Sequence, residues 1–334
     1  KDLDLKDLQL NGNQKAGETR FMSNVKHLVT LSDHNYIING MCLYDSLCAT
    51  SKDFVLHYLC LNQETYDELN ALGLENLKCY RMEEIYEDPD FETLKANNES
   101  RPIDSSDGQS HFHWALASFF SGYLMSNYDL PHVLYVDSDI LFYRDVQEVF
   151  DAMGSKSIGI ITHKHNKLDK TTTNVGYYNV GIIYFKNDEV GSKCLNFWRD
   201  CCIHSDNEYS AIFGSCGDQK YLELFDDIFG EENIEVLCRK VGNGAPWNFP
   251  MFEFLSPTKV IWKDPNGFVL NKGEQLEQDI VFNHFSHFTP DYENKRFAFD
   301  RGGEWGPIYN NPGVTDVYVN YMHELISTKG RYGL

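Results

Sequence analysis

The stretch VLYVDSDILFYRD, residues 133–145, runs an apolar segment into two aspartates separated by one serine, then turns apolar again. On an extended backbone residues two apart face the same way, so Asp137 and Asp139 can converge on one point. Two carboxylates that converge beside a buried segment cannot both be desolvated alone, and they call for a cation. Hard oxygen ligands suit Mn²⁺ or Mg²⁺. Asp137, Ser138 and Asp139 are equally good turn and cap formers, so the pair alone leaves both readings open. The elements around it, and the other side chains they deliver, decide between them.

Those elements alternate. Residues 25–32 (VKHLVTLS) read as a strand, and 36–50 as an amphipathic helix with Ile38, Met41, Leu43, Leu47 and Cys48 inward. FVLHYLCL (54–61) follows as a strand, then a short capped helix closed by Gly73. Strand, helix, strand, helix is the pattern of an α/β sheet. Residues 85–110 are polar and rich in turn formers, which predicts a surface excursion. Helical spacing returns at 111–127, with Leu116, Phe119, Phe120, Tyr123 and Leu124 on one face. HVLYV (132–136) is short and continuously apolar, as a strand buried on both faces would be. Further strands are expected at 158–162, 177–185 and 279–288, with helices near 193–204 and 314–328. In such a sheet ligands bind beyond the carboxyl ends of the strands, which is where Asp137 and Asp139 stand.

Composition narrows the function classes. Against 29 Lys and Arg stand 50 Asp and Glu, a formal charge of −21, which argues against an electrostatic grip on nucleic acid or anionic lipid. An aromatic share of 14% suits a packed domain with stacking surfaces. The nine cysteines form no C-x-x-C pair and several sit in apolar segments, which predicts mostly free, buried thiols and a cytoplasmic protein. No apolar run approaches the roughly 18 residues that span a bilayer. The sequence starts at Lys rather than Met, which is compatible with a targeting segment or anchor upstream. Residues 1–23 read as a leader or peripheral segment, 24–290 as one compact domain, and 291–334 as an extension ending in a helix.

The D-x-D segment and its company resemble the GT-A class of nucleotide-sugar glycosyltransferases, closest to glycosyltransferase family 8, over roughly residues 25–290. The resemblance implies a mixed, mostly parallel Rossmann-like sheet flanked by helices. It implies a divalent metal held by Asp137, Asp139 and a late-strand histidine in VFNHFSHF that best matches His284, with His287 as the alternative. Residues 27–47 look like the family's first strand and loop, so Thr30, Ser32, Asp33 and Tyr36 would line the nucleoside, with Tyr36 stacking. YYNVGIIYFKN resembles the Asn-x-Gly strand near the transferred sugar, placing Asn179 and Gly181 there. GDQKYL resembles the Asp-Gln segment, placing Asp218 and Gln219 beside the reacting centre.

The implied reaction moves a sugar from a nucleoside diphosphate donor, by family habit a UDP-sugar, to a hydroxyl of a carbohydrate or glycoconjugate. Family membership implies retention; inversion would make Asp218 the candidate general base. A sugar nucleotidyltransferase would need a basic Gly-rich loop after the first strand, and TLSDHNYIING has no Lys or Arg. A non-catalytic carbohydrate-binding protein with an ion site is the other alternative. Two departures stand out: the family's Gly and Lys-Pro-Trp after the histidine are replaced by FSHFTPDYENKRF with Lys295 and Arg296, and in place of the family's basic residue in the helix before the metal motif this chain offers His111 or His113, which could equally be surface caps. Trp247, Phe249, Phe252 and Phe254 could form an acceptor cleft or plug a loop.

Overall fold

Successive residues of a strand face opposite sides, and β1 (Lys26–Ser32) is apolar on both: Leu28 enters one hydrophobic cluster and Val29 another. The computed structural model describes residues 24–98, 111–164, 175–204, 218–265, 267, 269–299 and 311–334. After β1 come α1 (Ile37–Thr50), β2 (Phe54–Cys60), α2 (Gln63–Ala71) and β3 (Leu77–Arg81). The Asn62 side chain accepts from the Thr65 amide at 3.0 Å to start α2, and Gly73, at φ 59°, follows its end. β1, β2 and β3 pair in parallel.

The chain then runs through α3 (Phe91–Asn98), α4 (His111–Tyr128), β4 (His132–Val136), β5 (Ile140–Phe142), α5 (Gln147–Met153), β6 (Ile158–Thr162), β7 (Tyr178–Lys186), α6 (Glu189–Ile203), α7 (Phe225–Phe229) and β8 (Ile234–Val236). The large sheet has the order β3-β2-β1-β4-β7-β6-β8. Only β7 runs against its neighbours, antiparallel to both β4 and β6. That reversal matters for function, because the start of β7 then lies beside the carboxyl end of β4.

β9 (Gly242–Gly244), β10 (Phe252–Ser256), β11 (Lys259–Lys263) and β12 (Gln275–His284) build a second sheet with β5, in the order β10-β11-β12-β5, with β9 on β12. A hairpin, β13 (Thr289–Asp291) and β14 (Arg296–Ala298), leads towards α8 (Pro312–Tyr332). This last helix lies on α1: Asn39 donates to the Tyr321 hydroxyl at 2.9 Å, and Asp45 accepts from Thr328 and Tyr332 and pairs with Arg331. Helix α1 is therefore covered by the sheet on one side and α8 on the other, and it is buried nearly all round. Ile37, Met41, Leu43 and Leu47 are buried, whereas Cys48, expected inward, is exposed.

The 85–110 segment departs from expectation in its described part. Helix α3 buries Phe91 and Leu94 in the same cluster as α4 and α6, and Arg199 of α6 anchors its approach by pairing with Asp88 at 2.7 Å and Asp90 at 2.9 Å. Residues 99–110 lie outside the described residues, as do the leader 1–23 and most of the loop before β7. The eight described cysteines carry no disulfide. No described helix is long and apolar enough to cross a membrane.

Away from the carboxyl edge, the sheet carries a buried string of histidines. His57 Nε2 lies 3.0 Å from His27 Nδ1, His57 Nδ1 lies 2.8 Å from the Tyr80 hydroxyl, and the His27 amide donates to His132 Nε2 at 3.2 Å. Burial, helped by Lys78, pushes His27 down to about 4; burial and His27 push His57 to about 3 and His132 to about 4. All three are neutral at pH 7.

Candidate active site

Strand β4 ends at Val136, and the next three residues do not continue it. Asp137 to Ile140 form a tight turn, closed by the Ile140 amide donating to the Asp137 carbonyl at 3.2 Å. Asp137 and Asp139 thus converge through a turn and not through the pleat of an extended strand, which corrects the sequence reading. Two further bonds fix the turn: the Asp137 amide donates to Gly181 O and the Phe285 amide to Asp139 O, both at 2.9 Å. The antiparallel register of β12 on β5 sets His284 opposite Ile140, and so beside the aspartates.

His284 Nε2 lies 3.1 Å from Asp139 Oδ1 and 3.5 Å from Asp137 Oδ2. One ligand atom from each of the three lies within 4.8 Å of the others, two oxygens and a nitrogen, a donor set that suits Mn²⁺ or Mg²⁺. The other ring nitrogen, Nδ1, is buried without a hydrogen-bond partner among the described residues, so Nε2 is the one that meets polar groups. Burial alone would lower the His284 imidazole, but the Asp139 and Asp137 carboxylates outweigh it and hold it above its ordinary value. Burial also raises Asp137, with Asp139 adding to it. Asp139 stays low because His284 overrides its burial. A cation among the three would replace the shared proton and relieve this frustration.

Gly181 makes room for the ring. A Cβ there would sit 2.5 Å from His284 Nδ1 and 2.7 Å from Asn179 Oδ1. Asn179 is buried at the start of β7; its Oδ1 accepts from the Gly181 amide at 2.9 Å and its Nδ2 donates to Gln219 Oε1 at 3.0 Å. The Gln219 amide also donates to Val175 O at 2.7 Å, so its orientation is fixed at both ends. Asp218 does not cap the following turn; its carbonyl accepts from Trp198 Nε1 at 2.9 Å. Burial and the nearby Asp137 push its carboxyl up to about 8.

On β1, Thr30 is fully buried and its hydroxyl has no hydrogen-bond partner among the described residues, and Ser32 is bonded to the Tyr58 hydroxyl at 2.5 Å. Asp33 accepts from the Asn35 amide at 2.9 Å and so caps the short turn that leads to Tyr36 and α1. His113 of α4 is pushed down by burial, while Asp33 acts the other way. The sequence-predicted residues thus fall into a triad (Asp137, Asp139, His284), with Gly181 and Asp218 beside it, an amide pair (Asn179, Gln219) linked to Gly181, and a loop at the end of β1.

The profile of glycosyl transferase family 8 matches residues 27–201. The chain belongs to glycosyltransferase family 8. Its curated relatives include the Bacillus subtilis (strain 168) protein YfnF, described as uncharacterized, 26% identical over 267 residues that cover 78% of this chain and 80% of YfnF. Among solved structures, galactosyltransferase LgtC in complex with donor and acceptor sugar analogs superposes with a TM-score of 0.55 at 15% identity, over 90% of this chain and 95% of LgtC. Mouse xyloside xylosyltransferase 1 gives 0.50 at 14% identity, over 78% of this chain and 98% of that one. The fold is GT-A, and the chain is a glycosyltransferase.

Several residues of this family 8 site escaped the sequence reading. The Tyr135 hydroxyl donates to Asp137 Oδ1 at 2.8 Å, and its place two residues before Asp137 was the available signal. His163 Nε2 lies 3.4 Å from Asn179 Nδ2, and its ring meets Trp247 edge-on at 5.2 Å. Trp247 in turn meets His284 at 5.3 Å, nearly perpendicular. The aromatic run 247–254 therefore splits: Trp247 walls the triad, while Phe249 and Phe252 are core. Lys295 and Arg296 are exposed at the β13–β14 hairpin, where Arg296 lies across from Asp291.

Behind His284 the packing is dense. Phe285 stacks on Tyr321 at 3.7 Å between ring centres, 7° from parallel, and Phe288 stacks on Tyr318. Helix α8 thereby holds the end of β12 and, through Asn39, the helix that follows the Asp33 loop.

Proposed function

We propose that this glycosyltransferase is metal-dependent and transfers a sugar from a nucleoside diphosphate donor, a UDP-sugar in particular, to a hydroxyl of a carbohydrate or glycoconjugate acceptor with retention of configuration. The observation that carries this is the convergence of Asp137, Asp139 and His284 from two different sheets. These three residues would hold Mn²⁺ or Mg²⁺, with Tyr135 orienting Asp137. When bound, such an ion supplies Lewis acidity that stabilises the charge growing on the leaving diphosphate.

The protein's own residues do the rest. Thr30, Ser32, Asp33 and Tyr36 receive the nucleoside, with Ser138 in the turn that faces the donor. Asn179 and Gln219, each fixed by its hydrogen bonds, line the transferred sugar beside Asp218. Burial and Asp137 push the Asp218 carboxyl up to about 8, so it can hold a proton beside the transferred sugar, and the retaining course is taken from the habit of the family. In that course the anomeric carbon–diphosphate bond breaks, the acceptor oxygen bonds to the same face, and its proton leaves with the diphosphate.

The test is thermal stabilisation by Mn²⁺ with a panel of nucleotide sugars, comparing the wild type with Asp139→Ala, alongside assay of released nucleoside diphosphate. The wild type is expected to be stabilised by a UDP-sugar only with metal, and the variant not at all. Equal stabilisation of the two, or release of pyrophosphate in place of UDP, would overturn the proposal.

A further inference from the structure

Three consecutive residues at the end of β6 are each bonded into the segment 238–248, which carries β9 of the second sheet. The Thr162 amide donates to Cys238 Sγ at 3.3 Å, the His163 carbonyl accepts from Asn248 Nδ2 at 3.1 Å, and Lys164 Nζ donates to Asn243 O at 3.2 Å. The last of these ties is unlike the others, because Lys164 is only 4% exposed and pairs with no carboxylate among the described residues. Its ammonium lies instead over Trp262, 4.2 Å from the ring centre, with Phe252 at 5.5 Å. Burial pushes it down to about 8, while Cys238 and Asp264 act the other way. The backbone of Lys164 also sits in the left-handed region, at φ 53°. A buried ammonium and a left-handed side chain are both costly, and packing alone calls for neither.

The residue this tie secures is His163. Its Nδ1 lies 3.4 Å from Tyr177 O, and its Nε2 lies 3.4 Å from Asn179 Nδ2. One tautomer serves both contacts: Nδ1–H donates to Tyr177 O and leaves Nε2 to accept from Asn179. The Asn179 amide also donates to Gln219 Oε1, and its oxygen accepts from Gly181 N, so His163 completes the partners that fix Asn179. The His163 ring stands edge-on to Trp247, which walls His284.

We propose that Lys164 is a positioning residue for glycosyl transfer: by tying the end of β6 to β9 it holds the His163 ring against Asn179 and Trp247, and so keeps Asn179 and Gln219 in register with the triad. This rests on the function proposed above and adds to it a residue that acts only through its neighbours. The large sheet delivers Asn179 and the aspartates, and the second sheet delivers His284. Lys164 is then a second tie between them, besides the Phe285 amide on Asp139 O.

The experiment compares wild type, Lys164→Met and Lys164→Arg by melting temperature and by release of nucleoside diphosphate with Mn²⁺. The donor is UDP-glucose, UDP-galactose, UDP-N-acetylglucosamine or GDP-mannose, whichever the wild type turns over fastest. Methionine fills the space of lysine without its charge, so the melting temperature of Lys164→Met should equal or exceed that of the wild type. Its kcat should fall about 10- to 100-fold, as a displacement of about 1 Å at a reacting centre does, while the donor KM stays within about twofold. Lys164→Arg keeps the charge and the donor group and should recover part of kcat. Wild-type kcat in Lys164→Met would overturn the assignment, as would an arginine variant no better than the methionine one. A risen KM or a lowered melting temperature in Lys164→Met would overturn it too, marking a binding or merely structural role. A wild type that releases nucleoside diphosphate from none of these donors would overturn the proposed function, and this inference with it.

Discussion

Gly181→Ala puts one methyl group where two functional side chains meet. The added Cβ would lie 2.5 Å from His284 Nδ1, 2.7 Å from Asn179 Oδ1 and 2.8 Å from His284 Cε1. Relief to ordinary contact requires a shift of about 1 Å, since packed atoms sit roughly 3.5–4 Å apart. Neither neighbour has slack: His284 is walled by Trp247 and faces the aspartates, and Asn179 is held by Gln219 and its own turn. Overpacking of this kind costs about 1–3 kcal/mol. Metal ligands tolerate errors of only about 0.2 Å, so the displaced imidazole should lower Mn²⁺ affinity by about 10–100-fold, as loss of a supporting residue does. Calorimetric Mn²⁺ titration and a melting curve read both effects. Gly159→Ala is the control, because its Cβ would meet the Met153 sulfur, the movable end of a flexible side chain outside the triad. It should shift the melting temperature and leave the metal alone. Wild-type Mn²⁺ affinity in Gly181→Ala would refute the close-fit reasoning.

Other expectations follow from the same structure. Tyr321→Ala removes the ring under Phe285 and should cost about 3–5 kcal/mol in urea melts, with weaker Mn²⁺ binding even where the variant is folded; Tyr321→Phe, losing only the Asn39 bond, should cost about 1 kcal/mol. The buried histidine string is neutral in the fold, while unfolded histidines protonate near 6.5, so stability should be lost as pH falls from about 6.5 to 4. One such histidine accounts for roughly 3 kcal/mol, and His57→Gln should flatten the slope of melting temperature against pH. Asp218 has the opposite sign: its raised carboxyl means that stability falls as pH rises from its unfolded value to about 8. Part of this group meets solvent, which discounts the effect, so Asp218→Asn melted without metal should gain about 1–3 kcal/mol at pH 8 and nothing at pH 4, and assayed with metal and donor it should show lower transfer activity.

Residue pattern carried most of the fold. Strands such as 132–136 and 158–162 were legible because they are short, apolar and buried on both faces, and 62–73 because its caps are local. What pattern could not give was direction and partnership. Nothing in YYNVGIIYF announces that β7 runs antiparallel, yet that reversal brings Asn179 and Gly181 to Asp137. Asp137, Asp139 and His284 could be chosen as a set through family likeness, but their convergence depends on a turn and on β12 pairing with β5, which are tertiary facts. Helix α3 was missed because its polar composition reflects its exposed side, while Phe91 and Leu94 find partners far along the chain. The roles of His163 and Trp247 were hidden for the same reason, since contacts between distant segments leave no local periodicity.

The grip of α8 on α1 also sets the order in which the enzyme can be completed. Asn39 waits 282 residues for Tyr321, and Asp45 waits 283 for Thr328. At synthesis rates of about 5–20 residues per second, that interval is roughly 15–60 s, during which α1 lacks the cover that buries its outer side. The stack behind His284 closes only with the same late helix. Strands β1 to β4 can pair well before then, but the triad gains its support only once α8 has been made. The nascent chain therefore acquires most of the large sheet before the surroundings of Asp137, Asp139 and His284 are in place.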